Sequence, residues 1–202
     1  MSKVKKYPFI IPSYWLAVNT CRFVLFCCNS FRFTKKDKFK NTKKMNPKCT
    51  VEVLTPDFMG NKNAIRTVLK AKPDIFSHNI ECIERISRKV RPQADWQRSL
   101  SVLNDSIKYG LRTKTGLMVG FGEKKNEVKE TMKQIVDIGV QIFTIGQYLQ
   151  PTKKHLKVQE YVDKAIFDEY KDYGLSIGFK VVESGPLVRS SYHADEQARM
   201  VL

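Results

Sequence analysis

The chain has 202 residues, 42% of them hydrophobic and 11% aromatic, which is enough apolar material to bury one domain with room for an extension. Its net charge of +16 would suggest a nucleic-acid binder, but residues 1–50 hold twelve of the 36 Lys and Arg and a single acid, Asp37. The remaining 152 residues carry 24 bases against 19 acids, so the folded body is not read as a nucleic-acid binder.

Residues 1–49 are read as an irregular basic extension and residues 50–202 as the folded body. The extension runs from a basic start (Lys3, Lys5, Lys6) through an apolar stretch, 8–28, into a Lys-rich stretch, 32–48. The apolar stretch is about long enough to span a bilayer, but Pro8, Pro12, Asn19 and Arg22 interrupt it. A mid-helix Arg costs about 2.5–3.5 kcal/mol on insertion, so membrane contact by residues 8–28 is the weaker reading. The first 36 residues contain no acid, as in a transit peptide, though one rich in Lys and poor in Arg. A third reading is a segment not native to this fold, such as an alternative first exon.

The five cysteines, at 21, 27, 28, 49 and 82, are odd in number and concentrated at the start, which argues against a disulfide framework. The spacing of Cys21, Cys27 and Cys28 matches no common zinc or iron–sulfur pattern, so these thiols read as small apolar residues.

From residue 50 the hydrophobic period changes repeatedly. Residues 51–54 predict a short β-branched strand, and 61–71 a helix with Ala64, Ile65, Val68 and Leu69 on one face. Residues 75–80 predict a strand. Residues 95–109 predict a helix aligned on Trp96, Leu100, Leu103 and Ile107, stopped by Gly110. A strand at 115–119, a helix at 126–138 and Gly139 follow, then a strand at 142–145, a helix at 163–177 and Gly178, and a last strand at 179–182. Alternating β and α elements with short joints imply parallel strands. Five strands are too few for a complete eight-stranded barrel, so the fold class is α/β, a partial barrel or open sheet. Chemistry then belongs at the carboxyl ends of the strands. Those ends carry Asn79 and Glu81, Gly120, Gly122 and Glu123, and Tyr148, Leu149 and Gln150. Each has a bland alternative as a turn glycine, a cap or rim packing; with Ser184-Gly185-Pro186 at the next strand end, four consecutive strand ends suggest a shared pocket.

The tail, residues 188–196, packs Arg189, Ser190, Ser191, Tyr192, His193, Asp195 and Glu196 into nine positions. By chemistry alone it reads as a polar terminus with Arg189 and Asp195 paired at the surface.

Read together, the segments Val51-Glu52-Val53-Leu54-Thr55-Pro56-Asp57-Phe58, His78-Asn79-Ile80-Glu81, Lys89-Val90-Arg91-Pro92 and the run 113–123 resemble lipoyl synthase, of the radical S-adenosylmethionine enzymes. The most specific pieces are Thr144-Ile145-Gly146-Gln147-Tyr148-Leu149-Gln150-Pro151-Thr152 and Ser184-Gly185-Pro186-Leu187-Val188-Arg189-Ser190-Ser191-Tyr192-His193-Ala194-Asp195. The resemblance covers about residues 50–199 and is to the C-terminal portion of the family. It implies a partial radical-SAM-type (β/α) barrel without its first strands, [4Fe–4S] clusters and S-adenosylmethionine. The implied reaction is sulfur insertion into protein-bound octanoyl-lysine, which is protein lipoylation. One cluster cleaves S-adenosylmethionine to a 5′-deoxyadenosyl radical, and a second, auxiliary cluster donates sulfur. Ser191 matches the family's serine ligand to the auxiliary cluster, with Arg189 beside it. Asn79, Glu81, Gly120, Gly122 and Glu123 match segments lining the S-adenosylmethionine pocket, and Tyr148, Leu149 and Gln150 the strand end near the adenine. The implied partner is an octanoylated lipoyl domain or a glycine-cleavage H-type carrier, and the location mitochondrial in a eukaryote, otherwise cytoplasmic.

The family's two cysteine triplets, C-x4-C-x5-C and C-x3-C-x2-C, do not occur in this sequence. Cys82 stands where the family usually has threonine and reads as a small substitution. The expectation is a truncated polypeptide that does not turn over alone; the alternative is a non-catalytic protein that keeps a docking surface for the octanoylated carrier.

Overall fold

The alternation of period along the chain resolves into a single parallel sheet. The computed structural model describes residues 22–26 and 42–202. Its strands are β1 (Arg22–Phe26), β2 (Thr50–Leu54), β3 (Ile75–Ser77), β4 (Arg112–Val119), β5 (Ile142–Gln147) and β6 (Val181–Gly185). They lie in sequence order, and every neighbouring pair is parallel. Parallel neighbours cannot be joined by a tight turn, so the chain crosses over through helices. These are α1 (Lys62–Ala71), α2 (Glu84–Val90), α3 (Trp96–Lys108), α4 (Lys125–Ile138) and α5 (Lys164–Ile177); a short α6 (Ala194–Arg199) closes the tail. The class is the α/β open sheet, or partial barrel, that the periodicity implies.

Local chemistry sets the boundaries. Asn61 accepts from the Asn63 and Ala64 amides at the start of α1, Asp95 from Arg98 N at the start of α3, and Asp163 from Ala165 N at the start of α5. Such caps contribute about 0.5–2 kcal/mol each. Gly139 and Gly178 end α4 and α5 in the left-handed conformation, as expected of C-terminal glycines. On the helix face of the sheet, Val119, Phe143, Ile145 and Val182 pack with Leu103, Val128, Met132, Ile135 and Phe167 in one apolar cluster. Val51, Val53 and Phe76 pack with Ile65, Val68, Leu69 and Val102 in a second. Gly174, inside α5, is a close approach: a Cβ there would lie 2.7 Å from Met132 Cε and 2.8 Å from Val182 Cγ2.

Several expectations are corrected. The strand expected over 75–80 ends at Ser77; the His78 amide still donates to Lys114 O, residues 79–80 leave the ladder, and the chain rejoins at Glu81, which bridges Leu117 of β4 with a φ of 70°. The strand expected at 179–182 begins at Val181, because the Phe179 amide still closes the end of α5 on Gly174 O. Helices α2 and α6 were not expected; they have seven and six residues and no side-chain N-cap bond. The sheet also has one more strand than five. Arg22–Phe26, part of the apolar stretch, pairs in register with β2. The rest of that stretch, the transit-peptide reading, Cys21, Cys27 and Cys28 lie outside the described residues. Among the described residues no helix is long and apolar enough to cross a membrane.

Candidate functional site at the carboxyl edge of the sheet

Because all strands run the same way, their carboxyl ends share one edge, and the predicted residues fall along it in sequence order. After β3, the Glu81 amide donates to Gly116 O (3.1 Å) and the Glu81 carbonyl accepts from Met118 N (2.8 Å), fastening this corner to β4. Burial pushes the Glu81 carboxyl up, opposed by Arg91 and by a hydrogen bond from Asn79. The Arg91 guanidinium lies 4.0 Å away. Asn79 faces Gly116, where a Cβ would come within 3.4 Å of Asn79 Oδ1. Asn79 Oδ1, Ser77 Oγ and His78 Nε2 are buried polar atoms with no hydrogen-bond partner among the described residues. Such groups cost free energy unless something meets them. His78 Nδ1 sits 2.9 Å from Thr55 O. Burial lowers the His78 pKa from its ordinary 6.5, which keeps the ring neutral.

After β4 the loop is built around Glu123, whose carboxylate accepts from Gly120 N (2.5 Å) and Phe121 N (2.9 Å). Gly120 adopts a φ of 110°, open to glycine and strained for an L side chain, and the Gln147 amide fills the space beside it. Gly122 also has positive φ. After β5, Tyr148 is buried and stacks on Phe121 with ring centroids 4.0 Å apart, while its hydroxyl donates to Leu156 O (2.8 Å). Gln150 Nε2 donates to His155 O, and Leu149 is exposed. Glu123, Tyr148 and Gln150 thus have polar atoms committed to shaping their own loops.

The tail is not frayed. It crosses the face of the sheet opposite the helices. The Val188 carbonyl lies over Gly146, where a Cβ would run into it, and Arg189 Nη1 donates to Val188 O (2.8 Å) and approaches Gln147 O at 3.5 Å. Lys114 Nζ donates to Ser190 O and lies 3.2 Å from the Glu52 carboxylate; both side chains are buried. Ala198 of α6 completes an apolar cluster with Ile75, Ile142 and Val181. Asp195 pairs with Arg199, not with Arg189 as the surface reading of the tail supposed. Ser191 is exposed on the turn before α6, its carbonyl accepting from Ala194 N.

The structure therefore joins Asn79 and Glu81 to β4, Tyr148 to the Gly120 loop, and Arg189 to the end of β5. It leaves Ser191 on the solvent side of the tail. Sequence reasoning missed the Glu52–Lys114–Ser190 link, although an acid inside a β-branched run and a Lys between two threonines were visible signals. Gln147, placed by sequence at the strand end with Tyr148, is occupied in loop support: its amide donates to Tyr148 O and Glu160 O and accepts from Val162 N.

A parallel α/β sheet with polar groups gathered at its carboxyl edge is the class of an enzyme or a ligand-binding protein. Residues 29–135 match the Radical SAM superfamily, and the chain belongs to it. It is 52% identical over 161 residues to the lipoyl synthase of Caldicellulosiruptor saccharolyticus, covering 79% of this chain and 56% of that protein. It is 54% identical over 151 residues to that of Caldanaerobacter subterraneus subsp. tengcongensis, covering 74% and 53%. The chain thus spans about half the length of the curated relatives it matches. Among solved structures it resembles Streptococcus suis SuiB bound to S-adenosylmethionine, with a TM-score of 0.65 at 9% identity over 86% of this chain and 41% of that one. It also resembles methylornithine synthase, with a TM-score of 0.61 at 10% identity over 87% and 62%. These two likenesses concern the fold alone.

Proposed function

We propose that the chain carries a lipoyl synthase-type site for sulfur insertion into protein-bound octanoyl-lysine, with an octanoylated carrier protein as substrate. The observation that supports this best is identity of about half the residues to curated lipoyl synthases across three quarters of the chain. The strand-end edge fits S-adenosylmethionine: Asn79 and Ser77 offer unpartnered polar atoms and Glu81 a carboxylate, suited to hydroxyl and ammonium groups. S-adenosylmethionine would supply radical chemistry at an unactivated alkyl carbon only with a one-electron donor, which the described residues do not provide, so this edge is assigned its binding alone. Asn79 and Glu81 would orient the nucleoside, and the Gly120 loop and Tyr148 would wall it from water.

The described cysteines do not fit a [4Fe–4S] cluster at this edge. Cys49 is buried just before β2 begins, at the opposite end of the strands. Cys82 is buried, and burial first, then the Glu81 charge, pushes its thiol up to about 12, so it stays protonated. Clusters need thiolates. No step is therefore assigned to a cluster held by these residues, and the chain by itself is expected not to turn over. This mismatch favours a second reading, a non-catalytic protein that binds the octanoylated carrier.

The experiment is reconstitution of the purified chain with iron and sulfide, followed by assay on an octanoyl-lysine peptide. The expected result is no cluster absorbance and no lipoyl-lysine; turnover would overturn the claim of incompetence. Saturable binding of the octanoylated carrier without turnover supports the second reading. Mitochondrial residence in a eukaryotic source is part of the proposal, checked by locating a tagged chain.

A further inference from the structure

The loop from the end of β5 to α5 borders this edge and contributes polar atoms mainly to its own support. Residues 151–159 contain Lys153, Lys154 and Lys157 and no acid, while Glu160 and Asp163 follow at the end of the loop before α5. All three lysines are exposed, and their ammonium groups have no ion-pair or hydrogen-bond partner among the described residues. Elsewhere Lys62, Lys125, Lys129 and Lys164 each meet a carboxylate, while Lys70 and Lys133 stand singly on helix surfaces, so it is the clustering of three on one loop that sets this surface apart.

The loop is nonetheless firmly held. Tyr148 Oη donates to Leu156 O (2.8 Å), Gln150 Nε2 to His155 O (2.8 Å), Gln147 Nε2 to Glu160 O (3.0 Å) and Gln159 N to Gly120 O (2.9 Å). A loop ordered in advance loses little conformational freedom when something binds it. The loops after β5 and β6 also carry exposed apolar side chains: Leu149 at 48%, Leu156 at 39% and, after the adjacent strand β6, Leu187 at 79%. Gly146 of β5 pairs with Gly185 of β6, so the β5 and β6 loops leave the sheet side by side. Uncompensated cations on a rigid loop next to exposed leucines give a surface complementary to an acidic protein face with apolar content.

We propose that this surface, Lys153, Lys154 and Lys157 with Leu149, Leu156 and Leu187, docks the acidic face of the protein domain that carries the acyl-lysine. The identity of the partner rests on the lipoyl synthase-type reading; the cationic, apolar character of the surface does not. A substrate held on a lysine arm reaches the strand-end edge only if its domain covers the rim, and these two loops form the rim beside β5 and β6. Carboxylates on the domain would meet the three ammonium groups.

The test titrates the full chain with an octanoylated carrier domain and with the same domain unacylated, at low and at physiological salt. Binding of both forms should weaken as salt rises, because screening acts within about 8 Å at 0.15 M. K153E/K154E/K157E should weaken both by about tenfold or more, and L187A by less, while K70E and K133E on exposed helix positions change neither. Unchanged binding by the triple variant, with circular dichroism showing an intact fold, overturns the proposal. So does capture of anionic vesicles or RNA, lost in the triple variant, with no affinity for the carrier. If acylated and unacylated domains bind alike and the triple variant loses both, the docking surface stands and the acyl-site reading fails. If binding depends on the acyl group and ignores the triple variant, the acyl-site reading stands and the docking surface fails.

Discussion

On the helix face of the sheet, Val119, Phe143, Ile145 and Val182 meet Met132, Ile135 and Phe167 in a continuous apolar layer. On the opposite face, alternate residues of the same strands include Glu52, Ser77, Lys114 and Thr144, with Gly116 and Gly146; the tail meets Lys114 and Gly146, and its Ala198 packs on Ile75, Ile142 and Val181. A strand's two faces are independent in sequence, since side chains alternate with a period of two. The first face is built from dispersion and desolvation and tolerates changes of shape poorly. The second holds a buried ion pair and unpartnered polar atoms, which do little for stability and keep a polar surface in one geometry. That division is why the tail lies on one side of the sheet while the helices share the other.

The largest effect that would sharpen this contrast is Phe167→Ala. Phe167 is fully buried between α5 and the sheet, so its loss should cost about 3–5 kcal/mol in denaturant unfolding. Next comes Glu52→Gln, which leaves the buried Lys114 charge without its carboxylate and should cost about 3 kcal/mol. The double change E52L/K114M should recover most of that in the same unfolding assay while the tail loosens, because the Ser190 carbonyl loses its donor. If the double variant is no more stable than E52Q, the ion pair is part of the core and the contrast between faces fails. Gly146→Ala should cost about 1–3 kcal/mol, since its Cβ meets the Val188 carbonyl, and hydrogen exchange should rise at residues 186–192 while the helix face stays protected.

The smallest effect is in pH. The folded His78 pKa lies below its ordinary 6.5, so below pH 6.5 the unfolded chain takes up a proton that the folded chain does not. Stability should fall as pH drops from 6.5, and H78N should flatten that slope in the denaturation midpoint. At Asp57 burial would raise the carboxyl, but the Met59 amide and Arg98 outweigh it and hold it below 3.8. Its contribution is present above pH 3.8 and is lost as pH falls through the lower folded value.

Much of the fold was legible in local signals. The aligned helix faces of α1, α3, α4 and α5 and the stops at Gly139 and Gly178 follow from period and glycine placement, and they fixed the α/β class. Helix α2 was missed because it has seven residues and Ile83 gives no side-chain cap, although Ile83, Ile86 and Val90 keep helical spacing. The detour at residues 79–80 was missed because a strand pattern cannot show where a chain leaves its ladder and rejoins. Of the candidate site, Asn79, Glu81, Tyr148 and Arg189 could be placed on one edge once parallel strands were inferred. That Glu123 and Tyr148 turn to their own loops could not.

The sequence by itself determined the parallel α/β order and, through resemblance, a superfamily that residues 29–135 bear out. Period, capping and motif identity are properties of neighbouring residues, and those survive without coordinates. Only the tertiary structure decided that the tail crosses the sheet over Gly146, that Lys114 links Glu52 to Ser190, and that Lys153, Lys154 and Lys157 stand outward on a held loop. Lys114 and Ser190 are 76 positions apart, and their contact exists because parallel strands bring both to one face. Long-range pairings of this kind leave almost no local trace, since either residue alone would serve equally well on a surface.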